Sequence, residues 1–365
     1  MTRSSASVRL ARRWDEGFSP GPALVLGALA GGYRGLLGAR QWLYDRGVLR
    51  SRALPCAVVS VGNLTVGGTG KTPAVELAVR TLVDLGHRPA VVSRGYRRQS
   101  RGVQVVADTA SIRLDPEDAG DEPFLLARRL PRVPVIVGAN RYEAARLAVQ
   151  RFRATAVVLD DGFQHRTLAK DLEVVMTRAR NPWGNGQLLP GGPLREPLAA
   201  LARAHLIVAT EARSAVDLEE VQAAARRWAP GVPVLSARYA PVECWEAERM
   251  QTRPLTSLNG ARLLAFAGIA SPRGFGTTLN ELGVAVLDQV SFPDHHWYTL
   301  EDLRELNVRA RQLGAEALIT TEKDWVRLRR LSRPERALYI LSVQLELLAG
   351  DDLWRAAFAR TCART

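Results

Sequence analysis

Val61-Gly62-Asn63-Leu64-Thr65-Val66-Gly67-Gly68-Thr69-Gly70-Lys71-Thr72-Pro73 decides how this chain is read. An apolar run, residues 55–61, precedes it and a helical pattern, residues 71–86, follows, so the order is strand, glycine-rich turn, helix. Glycines let backbone N–H groups curl around phosphate oxygens, and the helix start adds the positive end of its dipole. Lys71 reaches the outer phosphates, and Thr72 offers a hydroxyl to Mg²⁺. Thr65, Val66, Gly67, Gly68, Thr69, Gly70, Lys71 and Thr72 are therefore the expected nucleotide-binding loop. The strict G-x-x-x-x-G-K-[ST] pattern asks for glycine where Thr65 stands, and Gly67 with Gly68 is expected to supply the flexibility instead. Pro73 falls in the first helical turn, where a missing N–H costs nothing.

Strand and helix alternate downstream. Strands are expected at 89–93, 133–137, 156–159, 172–177 and 205–210, and helices at 122–130, 140–152 and 217–228. That rhythm predicts an α/β fold, a P-loop NTPase-like domain with a mostly parallel sheet covered on both faces. At 365 residues the chain exceeds what one core usually serves, so a second, smaller α/β domain is expected. Its strands are placed at 263–269, 285–292, 317–321 and 338–343, and its helices at 272–282 and 300–313. The predicted organisation is an N-terminal segment at 1–52, a nucleotide-binding domain at 53–238, a linker at 239–260 and a C-terminal domain at 261–365.

Ala156-Val157-Val158-Leu159-Asp160-Asp161-Gly162-Phe163-Gln164-His165 delivers two carboxylates at the carboxyl end of an apolar strand, where ligands of such sheets bind. Beside a phosphate loop, Asp160 and Asp161 suit a Mg²⁺ ion; without one, Asp-Asp-Gly is also ordinary turn chemistry. Gly120-Asp121-Glu122-Pro123 opens a helix, with Asp121 read either as its N-cap or as a general base for an attacking hydroxyl. Phe292-Pro293-Asp294-His295-His296-Trp297 is too compact for three ligands on one metal and reads as a surface turn. Its His295 could orient Asp121 or relay a proton for it. Thr321-Glu322-Lys323-Asp324 misses the [NT]-K-x-D signature of guanine-specific enzymes, its Lys standing one place late, which favours ATP.

With 47% hydrophobic and 24% charged residues the chain is globular, neither disordered nor fibrous. A net charge of +13 favours anionic partners such as nucleic acid, acidic lipid headgroups or phosphorylated ligands, without choosing among them. Cys56, Cys244 and Cys362 are far apart and odd in number, so neither a disulfide framework nor a zinc site is indicated and a reducing cytoplasm fits. From Gly17 to Tyr33 the chain is uncharged, yet Pro20, Pro22 and its glycines make it a poor membrane span and a poor signal peptide. Leu24, Leu26, Leu29, Leu36, Leu37, Trp42, Leu43 and Tyr44 alternate with Arg34, Arg40, Arg46 and Arg50, the pattern of an amphipathic interfacial helix or of an ordinary core helix. Residues 1–52 carry a net charge of +6, worth about 1 kcal/mol per well-placed charge at an anionic leaflet.

Seven motifs in order, from Val61-Gly62-Asn63 and Gly67 to Pro73, through Ser93-Arg94-Gly95-Tyr96, Gly120 to Pro123, Asp160 to His165, Leu189-Pro190-Gly191-Gly192-Pro193-Leu194-Arg195-Glu196-Pro197, and Asp294-His295, to Thr321 to Asp324, resemble the tetraacyldisaccharide 4′-kinase family of lipid A synthesis. The resemblance implies transfer of the ATP γ-phosphate to the 4′-hydroxyl of an acylated glucosamine disaccharide, giving lipid IV A. It implies Lys71 and Thr72 on phosphate and Mg²⁺, Asp160 and Asp161 on the metal, Asp121 paired with His295 as the base, and Arg195 on phosphate charge. Asn63, Arg94 and Tyr96 would meet the lipid substrate. It also implies peripheral, monotopic attachment at the cytoplasmic face of the inner membrane, and no protein partner is indicated. Two rivals remain: a P-loop nucleotide hydrolase acting as a membrane-associated switch, and a basic nucleic-acid-binding protein. The second lacks any compact basic motif with interleaved aromatics, so no nucleic-acid partner is expected.

Overall fold

The computed structural model describes Trp14 and residues 20–212, 214, 216–331 and 335–363. Arg3, Arg9, Arg12 and Arg13, which contribute to the N-terminal charge, lie outside the described residues, as do Gly17 and its two successors in the uncharged run. The chain divides into two compact units.

The larger unit starts with helix α1 (Pro20–Asp45) and strand β1 (Ala57–Asn63), every residue of which is buried. Helix α2 (Lys71–Asp84), strands β2 (Pro89–Ser93) and β3 (Gln104–Ala107), and the short helices α3 (Pro116–Ala119) and α4 (Asp121–Arg129) follow. Then come β4 (Val135–Val137), α5 (Arg141–Phe152), β5 (Ala156–Asp160), β6 (Leu172–Arg178), a 3₁₀ helix (Leu198–Arg203), β7 (Leu206–Thr210), α6 (Glu219–Trp228) and β8 (Val234–Glu246). Its strands lie in the order β3-β4-β2-β5-β1-β6-β7-β8, all parallel except β3, which runs antiparallel to β4. Continuous apolar strands buried on both faces are what a parallel sheet under helices demands. Two apolar clusters supply that cover, one around Val58, Ile136 and Leu159 and one around Leu64, Phe163 and Ile207. Because β5 lies between β1 and β2, the chain leaving β1 crosses over it, and the carboxyl ends of β1, β2 and β5 open onto a common edge where ligands of doubly wound sheets bind.

The smaller unit contains the hairpin in which Cys244–Glu246 of β8 pair antiparallel with β9 (Gln251–Arg253). It continues through β10 (Arg262–Ala267), α7 (Pro272–Glu281), β11 (Ala285–Ser291), α8 (Leu300–Leu313), β12 (Ala317–Thr321), α9 (Glu322–Leu328) and β13 (Leu338–Ala349). Its parallel strands run in the order β11-β10-β12-β13 over a core of Leu263, Ala265, Phe275, Leu279 and Ile319. Helix α10 (Asp351–Cys362) belongs with the larger unit, although the sequence placed it in a domain running from 261 to 365. The cause is Trp354, which is buried with its Nε1 donating to Thr81 Oγ1 of α2 (2.9 Å) and its ring 4.7 Å from that of Phe358. Cys56 and Cys244 are buried free thiols.

Candidate active site

The glycine-rich turn closes onto α2 through two residues in the left-handed region, Gly67 (φ 108°) and Gly70 (φ 83°). Those are the positions where a side chain would be strained, which explains why Thr65 is tolerated where the strict pattern has glycine. Thr65 instead forms a bridge to Leu194, flanked by Val66 N donating to Pro193 O (2.9 Å) and Arg195 N donating to Leu64 O (2.7 Å). The Leu189 to Pro197 motif is thus a backbone brace for the loop, and it brings Arg195 alongside.

Strand β5 adds the acids. Val61 of β1 pairs in register with Asp160, so the carboxylates arrive level with the start of the loop. Gly62 makes this possible, since a Cβ there would lie 2.6 Å from Phe163 Cβ and 2.7 Å from Phe163 N. Asp161 adopts φ 53°, a conformation Asp tolerates better than most residues. Its carboxylate receives Arg195 Nη1 at 3.0 and 2.9 Å and lies 3.6 Å from Lys71 Nζ. Burial alone would raise the Asp161 pKa, but Lys71, Arg195 and Arg141 outweigh it and hold the carboxyl below its ordinary value. Asp160 behaves oppositely. Burial, then Glu122 and Asp161, push it up to about 7, against a hydrogen bond from Ser93 Oγ (2.9 Å) and the charge of Lys71.

The underside of this turn is held by buried charge. Lys170 Nζ donates to the carbonyls of Gly162 and Phe163 (both 3.2 Å) and pairs with Glu173 at 2.7 Å. Arg203 stacks on the Phe163 ring at 4.3 Å and pairs with Glu196 at 2.8 Å. Helix α1 leans on the same place, with Tyr33 Oη donating to Arg195 O (2.9 Å) and Arg40 Nη2 to Gln164 O (3.0 Å).

Among the described residues no group of three His, Cys, Asp or Glu side chains could hold a metal unaided. The donors do suit Mg²⁺, which takes one or two carboxylates and completes its shell with waters and phosphate oxygens. Asp160 Oδ1 is buried without a hydrogen-bond partner, as a carboxylate oxygen reserved for a cation would be.

A sequence model of the family described as tetraacyldisaccharide-1-P 4′-kinase (LpxK) matches residues 22–362. The chain belongs to the tetraacyldisaccharide 4′-kinase family. A relative of that name from Anaeromyxobacter sp. is 44% identical over 93% of this chain and 92% of its own. Another, from Syntrophus aciditrophicus, is 39% identical over 93% of this chain and 94% of its own. The crystal structure of an "apo" form of LpxK from Aquifex aeolicus in complex with ATP is 30% identical with a TM-score of 0.73, covering 93% of this chain and 99% of that one.

Of the residues that the sequence nominated for such a kinase, Lys71, Asp161 and Arg195 are in direct contact, and Asp160 shares their electrostatic environment. Arg94 and Tyr96 are exposed just past β2, where Gln99 N donates to Glu117 O (2.8 Å) and ties their turn to the segment entering Asp121. Asp121 is buried as the first residue of α4; Gly120 occupies the cap position, so the N-cap reading of Asp121 does not hold. Asn63 needs a correction too. It is 0% exposed and its side-chain amide donates to Thr65 O (2.7 Å), so it shapes the phosphate loop and cannot be a lipid contact. His295 belongs to the smaller unit. Sequence reasoning missed Ser93 and Arg141, the latter buried at the start of α5 with Nη1 on Ala139 O (3.1 Å) and coupled electrostatically to both aspartates.

His165 yields a pH prediction. Burial, with Arg141, Lys170 and Arg40 nearby, pushes its pKa down to about 4 from 6.5. Below about pH 6.5 the unfolded chain binds a proton that the folded one refuses until about pH 4, so stability falls as pH falls across that window. His165→Asn is expected to lose less stability than the parent between about pH 7 and about pH 5, read from urea midpoints. Parallel losses in the two proteins would refute this.

Proposed function

We infer that the chain is a tetraacyldisaccharide 4′-kinase, transferring the γ-phosphate of ATP to the 4′-hydroxyl of a tetraacylated glucosamine disaccharide 1-phosphate and forming lipid IV A. The observation that carries the reading is the junction of Lys71, Asp161 and Arg195 beside a braced phosphate loop. Phosphoryl transfer asks for positioning and charge neutralisation more than covalent work by the protein. The amides of Gly67 to Lys71 and the Lys71 ammonium hold the phosphate oxygens, and Arg195 steadies the charge of the transferred group. Thr72, Asp160 and Asp161 would hold Mg²⁺, which when bound neutralises the β- and γ-phosphate oxygens. Asp121 takes the proton of the attacking hydroxyl, with His295 as its partner in turnover, a pairing that rests on the family motifs. Arg94 and Tyr96 meet the sugar headgroup of the lipid.

Acceptor dependence tests the reading. Mg·ATP consumption by the purified chain is expected to require the acylated disaccharide 1-phosphate, with the phosphate recovered on lipid. Fast hydrolysis to water that ignores the acceptor would favour the nucleotide-switch alternative instead.

The acceptor's acyl chains stay in a bilayer, and we place α1 at that surface. No helix among the described residues is long and apolar enough to cross a membrane. One side of α1 packs through Tyr33 and Leu37 onto the core, while Leu24 (78% exposed), Val25, Leu29, Leu36 and Trp42 (53% exposed) face away from it. Arg46 lies 5.3 Å from the Trp42 ring, an aromatic–cation pairing suited to a headgroup boundary. Leu29→Glu with Leu36→Glu is expected to abolish co-sedimentation with anionic phospholipid vesicles while leaving thermal stability intact. Unchanged sedimentation would remove α1 from this role.

A further inference from the structure

The Thr321-Glu322-Lys323-Asp324 motif takes no part in the chemistry so far, yet its aspartate is 0% exposed and is a hub of hydrogen bonds in the smaller unit. Asp324 Oδ1 accepts from Gly268 N (2.9 Å), Tyr298 Oη (2.8 Å) and Arg327 Nη2 (2.9 Å), and Oδ2 accepts from Thr321 Oγ1 (2.6 Å). Thr321 caps α9 by taking the Asp324 N–H (3.1 Å), which fixes the carboxylate's own helix. A carboxylate this enclosed, spent on protein donors, is unavailable to read a nucleotide base. Its partners lead elsewhere.

Gly268 is gripped from both sides. Its N–H goes to Asp324, while its carbonyl accepts Arg327 Nη2 (3.0 Å) and the backbone N–H of His295 (3.2 Å). The same peptide abuts the start of the His295 turn so closely that a Cβ on Gly268 would lie 3.0 Å from Pro293 O and 3.2 Å from both Asp324 Oδ1 and Tyr298 Oη. His295 itself has φ 60°, a left-handed conformation that a non-glycine residue keeps only where its surroundings over-determine it. The neighbouring His296 is committed otherwise, its ring stacked on Phe292 at 4.8 Å and its Nε2 3.0 Å from Asp302 Oδ2. Tyr298 closes the arrangement, its ring edge-on to Phe292 and to His296 at 5.0 Å each while its hydroxyl returns to Asp324.

We propose that Asp324 is a positioning residue for His295: with Arg327 and Tyr298 it clamps the Gly268 peptide, and that peptide holds residues 293–296 in the backbone arrangement that fixes the His295 imidazole. The inference rests on the reading of His295 as a partner in proton transfer, and it gives the Thr321 to Asp324 motif a task in the reaction without contact with substrate.

Asp324→Asn strips the charge partner from a buried Arg327, so two milder variants carry the test. Gly268→Ala forces the Pro293 carbonyl to yield by a few tenths of an ångström, and Tyr298→Phe deletes one donor to Asp324 while keeping the ring. In the full-length chain each is expected to cut acceptor-dependent kcat on the order of tenfold or more, the penalty of a displaced catalytic group, with Mg·ATP affinity and the KM for acceptor unchanged. In a His295→Ala background neither lowers kcat further. The His295 C2–H resonance, assigned among five histidines by its loss in His295→Ala, is expected to shift in both variants. An unmoved resonance, or kcat losses that multiply with that of His295→Ala, overturns the clamp. Wild-type turnover in His295→Ala overturns the proton-transfer reading, while the resonance still decides the clamp.

Discussion

Asp121→Ala lowers acceptor-dependent turnover by about 10²- to 10⁴-fold, the contribution expected of a positioned general base, while equilibrium binding of Mg·ATP stays at the parent level. The split follows from where Asp121 sits. It opens α4, with its carboxylate oxygen taking the Glu122 N–H (3.0 Å), outside the loop whose amides and Lys71 hold phosphate. Removing it leaves the Lys71, Asp161 and Arg195 contacts in place. Asp121→Asn separates chemistry from packing: it keeps shape and acceptor oxygen but cannot take a proton, so its turnover should match that of the alanine variant. His295→Ala is expected to fall comparably, and the double variant no further than the worse single, as for groups that act as a unit. Steady-state kinetics alongside nucleotide titration checks all of this. Turnover within a few-fold of the parent in Asp121→Asn would take the residue out of the proton path.

The parts of this site that could be read in advance are those whose chemistry is local. A strand expected at 156–159 is β5, Ala156–Asp160, and the strand expected at 55–61 is β1, Ala57–Asn63, running on through Gly62 before the glycine-rich turn, because continuous apolar runs and glycine-rich turns are written in adjacent residues. Elements defined by a neighbour were invisible. Strand β3 is four residues at a sheet edge, specified by pairing with β4 rather than by any pattern of its own. Helix α9 went unrecognised because Thr321 to Asp324 was weighed as a nucleotide motif, though threonine with an acid three places on is also a helix-start signal. The same limit governs side chains. Ser93 joins the acids because β2 lies beside β5 in the sheet, and Arg141 because β4, which precedes it, lies beside β2, adjacencies no spacing reveals. Asn63 was assigned to the lipid, yet it ends a strand buried at every residue, and that burial assigns it to the loop.

Asp161→Asn carries the other large effect, and its value lies in two changes of opposite sign. Asparagine tolerates the left-handed backbone that Asp161 adopts (φ 53°), so the turn over Gly62 should survive. What disappears is the negative charge that Arg195 meets at 2.9 Å and Lys71 at 3.6 Å, with Arg141 and Asp160 within electrostatic reach. If that charge exists to hold Mg²⁺, its loss removes several kcal/mol of stabilisation from the transferring phosphoryl group, or about 10³-fold in turnover. The same change strips Lys71 and Arg195 of the carboxylate they contact, so ATP without metal should bind more tightly than to the parent, an advantage that fades as salt rises. The parent should need Mg²⁺ for tight binding, and the variant should not. An aspartate that merely terminated β5 would produce neither the gain in metal-free affinity nor the loss of metal dependence. Titrating ATP with and without Mg²⁺ at low and high salt therefore discriminates between them, and equal Mg²⁺ dependence in the two proteins would show that Asp161 neither holds the ion nor restrains the two cations.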